Sequence, residues 1–156
     1  MNAKRISRTS EFIANASITI VFPLFGPIEE MKWDPDWKPK IVCFERSIPE
    51  ERMMFTSPAR FEDEHDYVWI ITRFDPEKHI IEYTVSSQHR TWFIDVHCIE
   101  ENEYATRVRV TYTYTSLTER GAELNTISLE SMFKENLADW ARAINSYLKK
   151  NPLHSR

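Results

Sequence analysis

The stretch YATRVRVTYTYT, from Tyr104 to Thr115, alternates without a break. Tyr104, Thr106, Val108, Val110, Tyr112 and Tyr114 fall on one face. Ala105, Arg107, Arg109, Thr111, Thr113 and Thr115 fall on the other. Strict period-2 patterning in β-branched and aromatic residues predicts a strand with one buried and one wet face, which is the habit of an antiparallel sheet. Downstream the period changes. SLESMFKENLADWARAINSYLK, from Ser128 to Lys149, carries Met132, Phe133, Leu137, Trp140, Ile144 and Leu148 on one stripe at three- and four-residue steps. Ser128 is the predicted N-cap, and Pro152 follows the predicted end. A helix of this length spans ~33 Å, enough to cross a whole sheet.

Working back toward the N-terminus, Thr91 to Ile99 alternates as well, with Trp92, Ile94, Val96 and Cys98 on one face. The polar run Glu100 to Glu103 predicts a four-residue hairpin connection to the strand that follows. Ile80 to Ser86 and Tyr67 to Phe74 give two more strands, separated by the turn Asp75-Pro76-Glu77-Lys78. Ile41 to Arg46 and Arg52 to Thr56 are shorter candidates around Pro49. The middle of the chain therefore reads as a meander of about six strands. Ser7 to Ile13 adds a candidate first strand. Ile18 to Val21 is strand-like by propensity alone. Pro27 followed by Glu29 and Glu30 resembles a helix start.

Composition narrows the function classes. Aromatic residues make up 13% of the chain, with five Trp and only two Gly. Few glycines argue against phosphate-cradling loops. Many rings have to be housed in a core or around a cavity. Net charge is −4 with both signs mixed, which leaves no electrostatic footprint for nucleic acid. Cys43 and Cys98 lie far apart and form no metal or redox motif; the expectation is two buried thiols in a reducing cytoplasm. The longest apolar stretch, Ile18 to Phe25, falls short of a bilayer span, so no stable membrane insertion is expected. The first residues do not read as a signal peptide. The absence of a linker or repeat predicts one domain over residues 1–156.

The segment Phe22-Pro23-Leu24-Phe25-Gly26-Pro27-Ile28-Glu29-Glu30-Met31-Lys32-Trp33, followed by Trp37-Lys38-Pro39, resembles the START-like or SRPBCC superfamily of Bet v 1-like helix-grip proteins. The likeness is to the polyketide cyclase/dehydrase-like and uncharacterised branches. Asp36 stands where that pattern has Gly, and Lys38 where it has Asp. The resemblance implies an α+β helix-grip fold: a curved antiparallel sheet of six or seven strands around a long C-terminal helix, with two short N-terminal helices. It makes Ile18 to Phe25 a short helix, against β-propensity. It also implies an internal cavity for lipids, polyketides or other apolar molecules, and places Glu30 at the family's usual acid position.

Trp69, Tyr83, Trp92, Tyr112 and Tyr114 of the sheet, with Phe133 and Trp140 of the helix, are the candidate ligand-binding rings; for each ring a solid core is the competing reading. Trp33 and Trp37 either close the mouth of the pocket or pin the short helices to the sheet. For Glu30 a structural salt bridge is expected ahead of catalysis. Asp95 and His97 face away from Trp92, toward solvent. His89-Arg90 falls at a turn, and the acidic loop Glu62 to Asp66, with His65 in it, is expected to be solvated. Five His without ligand spacing predict no metal and no cofactor. No nucleophile-base pattern stands out. Binding of a small apolar ligand thus leads. A cyclase- or dehydratase-like enzyme using Tyr83, Tyr112 or Tyr114 is the alternative, and a chaperone-activator-like interaction module the second alternative. A homodimer is compatible with the sequence.

Overall fold

The computed structural model describes residues 4–43 and 48–152, with backbone alone at 41–43. Among these residues seven strands form one antiparallel sheet: β1 (Arg5–Ala14), β2 (Lys40–Cys43), β3 (Met54–Ser57), β4 (Tyr67–Asp75), β5 (Ile80–Ser86), β6 (Arg90–Asn102) and β7 (Ala105–Ser116). Their spatial order is β1-β7-β6-β5-β4-β3-β2. The chain from β2 to β7 is a plain meander, and β1 returns to pair with β7 from Arg5↔Thr115 to Ala14↔Thr106. Irregularities at Ile71/Arg73 and Glu100/Asn102 interrupt the ladders; such bulges bend a sheet.

The alternation in β7 behaves as read from Thr106 onward. Thr106, Val108, Val110, Tyr112 and Tyr114 are all buried on the concave face. Tyr104 is a correction: it is 65% exposed. β6 continues to Asn102, so the hairpin connection is two residues, Glu103 and Tyr104, rather than four. Backbone pairing as far as Asn102↔Ala105 outweighs the polarity of the run.

Between β1 and β2 the chain makes a short helix α1 (Ile18–Val21), which runs into a 3-10 turn at Phe22–Phe25, and a second 3-10 turn at Glu29–Lys32. β-branched Ile18 and Val21 are helical here because both are buried against the concave side, where packing outweighs propensity.

The C-terminal helix is the main correction. It is two helices, α2 (Glu119–Met132) and α3 (Ala138–Lys150). α2 starts at Thr118, whose Oγ1 accepts from the Gly121 N–H at 3.0 Å. Ser128 is therefore a buried mid-helix residue and not an N-cap. The interruption falls at Asn136 and Leu137, both left-handed, with φ of 51° and 66°. It lets Phe133 and Leu137, at 1% and 0% exposure, both reach the core. Arg8 secures the corner: its guanidinium donates to Asn136 Oδ1 at 2.5 Å and lies over the Phe133 ring. The expected strand end at Arg46 and the Cys43 thiol lie outside the described residues. Cys98 is a buried free thiol.

Candidate functional site

The sheet's concave face does not close completely on the helices. A cavity of about 500 Å³ remains, with β4, β6 and β7 as its floor and α2 and α3 on the far side. Its rim is the segment from Glu30 to Lys38 and the loop from Ser57 to Arg60. Of the rings singled out in the sequence, Trp37, Trp69, Trp92, Tyr112, Tyr114 and Trp140 stand on its wall.

The other three lie off it. Trp33 is buried, donates its indole N–H to Leu24 O at 2.7 Å, and packs on Trp140 at 5.7 Å. It borders an adjoining hollow of about 320 Å³ instead. Tyr83 is core: its hydroxyl donates to Phe25 O at 2.6 Å, and its ring meets Phe55 and Trp69. Phe133 is core behind Tyr112. Trp37 donates to Pro27 O at 2.7 Å, while its ring meets Trp69 at 4.9 Å on the cavity wall.

Polar groups enter this aromatic wall at two places. At one end Arg90, the first residue of β6, is 1% exposed. Its Nε and Nη2 donate to the two oxygens of Glu64, at 3.0 and 2.9 Å. Nη1 donates to Ser128 Oγ at 2.7 Å, and Nη2 also to Tyr67 OH at 3.0 Å. Trp92 stacks beneath the guanidinium at 4.7 Å. Tyr67 donates to Glu64 Oε1 at 2.5 Å. Burial pushes the Glu64 carboxyl up, but the bonds from Arg90 and Tyr67 outweigh it and hold it below its ordinary range. The acidic loop is therefore not wholly solvated, and Arg90 is not a turn residue. A sequence signal existed: Arg90 continues the inward alternation of Trp92, Ile94 and Val96.

At the other end stands Glu30, on the second 3-10 turn. Its carboxyl has no ion pair or hydrogen bond among the described residues, contrary to the expected salt bridge. The residue is half-buried and lines the cavity. Burial first, and repulsion from Asp34 second, push the carboxyl up to about 8. Burial likewise raises the Tyr112 hydroxyl well above its usual range. Outside the cavity, Asp95 and His97 lie on the convex face as expected, where burial and then Glu82 raise Asp95 to about 6. Among the described residues no group of His, Cys, Asp and Glu has a metal-binding arrangement. No helix there is long and apolar enough to cross a membrane.

This architecture has close structural counterparts. A norcoclaurine synthase point mutant from Thalictrum flavum, solved in complex with a transition-state analogue, superposes with a TM-score of 0.70 at 11% identity, over 97% of this chain and 99% of that one. The Zhui aromatase/cyclase from Streptomyces sp. R1128 gives 0.62 at 12% identity, over 96% and 95%. Ginseng major latex-like protein 151 from Panax ginseng gives 0.64 at 12%, over 92% and 97%. The chain has the Bet v 1-like helix-grip fold. No family model and no curated protein matches its sequence. At these identities the helix-grip likeness establishes fold alone.

Proposed function

We propose that this helix-grip chain binds a small aromatic or otherwise apolar molecule in the cavity between its sheet and its C-terminal helices. The observation that carries this reading is the cavity itself: about 500 Å³, walled by Trp37, Trp69, Trp92, Tyr112, Tyr114 and Trp140. Pockets for small ligands commonly measure ~300–1,000 Å³, with mostly apolar walls and a few placed polar groups. The solved counterparts include a synthase and an aromatase/cyclase, which is consistent with it. The reading takes residues 1–156 as one domain acting in a reducing cytoplasm. Native mass spectrometry of freshly purified protein, followed by calorimetric titration with lipids and polyketide-like aromatics, tests it. A chain that carries nothing and takes up none of them refutes the reading.

A second reading, a cyclase- or dehydratase-like enzyme, is favoured by Glu30. A carboxyl near 8 that lines an aromatic-walled cavity suits proton transfer close to neutral pH. Turnover of a poly-β-ketone substrate that survives Glu30→Gln unchanged would remove this support.

A further inference from the structure

Several polar groups on the cavity wall already have partners. The indole N–H groups of Trp37 and Trp69 go to Pro27 O and Ser57 Oγ, and Arg90 is fully engaged by Glu64, Tyr67 and Ser128. Glu30 and Tyr112 differ. Tyr112 is 5% exposed and stands on the cavity wall, yet its hydroxyl bonds to none of the described residues. The carboxyl of Glu30, a half-buried residue on the same wall, likewise has no partner among the described residues. The two come from different sides of the cavity, Glu30 from the 3-10 turn above the sheet and Tyr112 from the middle of β7. The indole N–H groups of Trp92 and Trp140, also on the wall, are likewise without protein acceptors among the described residues. Buried polar groups are seldom left unmatched. Among the described residues the fully enclosed side-chain atom without a partner is Asn125 Oδ1 on α2; the four groups named here instead open onto the cavity, where a ligand can meet them.

We propose that Glu30 and Tyr112 determine the cavity's specificity by donating hydrogen bonds to a neutral carbonyl oxygen, a ketone or aldehyde, on an aromatic ligand. The proposal rests on the cavity being a ligand site. A tyrosine hydroxyl raised by burial remains a donor. A carboxyl raised to about 8 is protonated at neutral pH and donates too. Unpaired indole N–H groups add donors and no acceptor. Such a wall is matched by lone pairs rather than by a positive charge. A ligand carboxylate would meet Asp34 and Asp36 at the rim. The other charged groups facing this end are Lys38 beside the acids, Arg60 from the β3–β4 loop, and Arg90 from β6, which is neutralised by Glu64. Tyr83 approaches from β5 with its hydroxyl already committed.

Calorimetric titration of the whole chain with three probes of one shape tests the proposal. They are 2-acetylnaphthalene, 2-isopropylnaphthalene and trimethyl(2-naphthyl)ammonium. At about pH 6.5 the ketone is expected to bind about tenfold tighter than the hydrocarbon, the ratio that ~1.4 kcal/mol represents. At about pH 9.5, with Glu30 ionised, that ratio should shrink several-fold. Tyr112→Phe and Glu30→Ala should each lower the ketone-to-hydrocarbon ratio about fivefold. Glu30→Gln, whose amide still donates, should preserve it at both pH values and controls for folding. Equal affinity for ketone and hydrocarbon, or tighter binding of the cation at pH 6.5, overturns the role of the pair while leaving the cavity a ligand site. Failure of all three probes to bind overturns both.

Discussion

Glu30 and Arg90 are the two residues whose surroundings most exceed what their types suggest, and each carries a stability prediction. In the folded chain the Glu30 carboxyl sits near 8, against about 4.5 when unfolded. Between those values the folded chain holds a proton that the unfolded chain has released. Stability therefore falls as the pH rises through that window and levels off above it. Glu30→Gln should flatten this slope in thermal melts from pH 5 to 9 and stabilise the chain at pH 8 by on the order of 2 kcal/mol. Glu64 has the opposite sign. Its depressed carboxyl contributes stability above about 4.5, lost as the pH falls below that toward its folded value. Arg90→Met leaves Glu64 buried without its cation, and urea unfolding should register a loss of ~3–5 kcal/mol. Replacing Glu64 by Leu in the same chain should recover part of that loss. The position of Glu30 was visible in the sequence through the resemblance at Phe22 to Trp33. Its isolation was not, because the lack of a partner depends on which residues the folded chain brings near.

Among the elements, α2 is the instructive case. Its N-terminus is built on the turn between β5 and β6. The Leu117 N–H donates to His89 O at 2.8 Å, and His89 Nδ1 lies 3.0 Å from Thr118 Oγ1. The approach is so close that a Cβ at Gly121 would run into the His89 carbonyl. Gly121→Ala should thus destabilise the protein by about 2 kcal/mol or more in denaturant titrations, although alanine is the better helix former. Thr118→Ala should cost about 1 kcal/mol through the lost cap. These features hid the helix start. A glycine in the first turn and the inward polar residues Asn125 and Ser128 weaken the apolar stripe before Leu129. Past that point the stripe is strong, and a stripe of this kind does not reveal a two-residue left-handed corner, which preserves the order of buried positions while changing the helix axis.

At the scale of the whole molecule, a sheet bent around two helices leaves a hollow that its own side chains do not fill. Any ligand that binds only the folded chain stabilises it by mass action, about 2.7 kcal/mol at a concentration of 100 Kd. A bound aromatic should therefore raise Tm by several degrees, an effect that grows with the logarithm of its concentration. Four tryptophans on the wall, Trp37, Trp69, Trp92 and Trp140, should report the same event through their fluorescence. A rise in Tm without any change in emission would place the ligand elsewhere on the surface.

The sequence by itself determined the meander, the inward faces of β5, β6 and β7, and the presence of helix at the C-terminus. These follow from side-chain periodicity, a local property that burial reads directly. The resemblance at Phe22 to Trp33 supplied the short N-terminal helices that propensity opposed. Only the tertiary structure decided where the C-terminal helix breaks, which rings became wall and which became core, and that Arg90 and Glu64 are paired while Glu30 is not. Wall and core rings share one face and one composition; what separates them is the path of the helices across the sheet. Partnership between charges 26 residues apart is likewise a matter of distance in space, which no local pattern encodes.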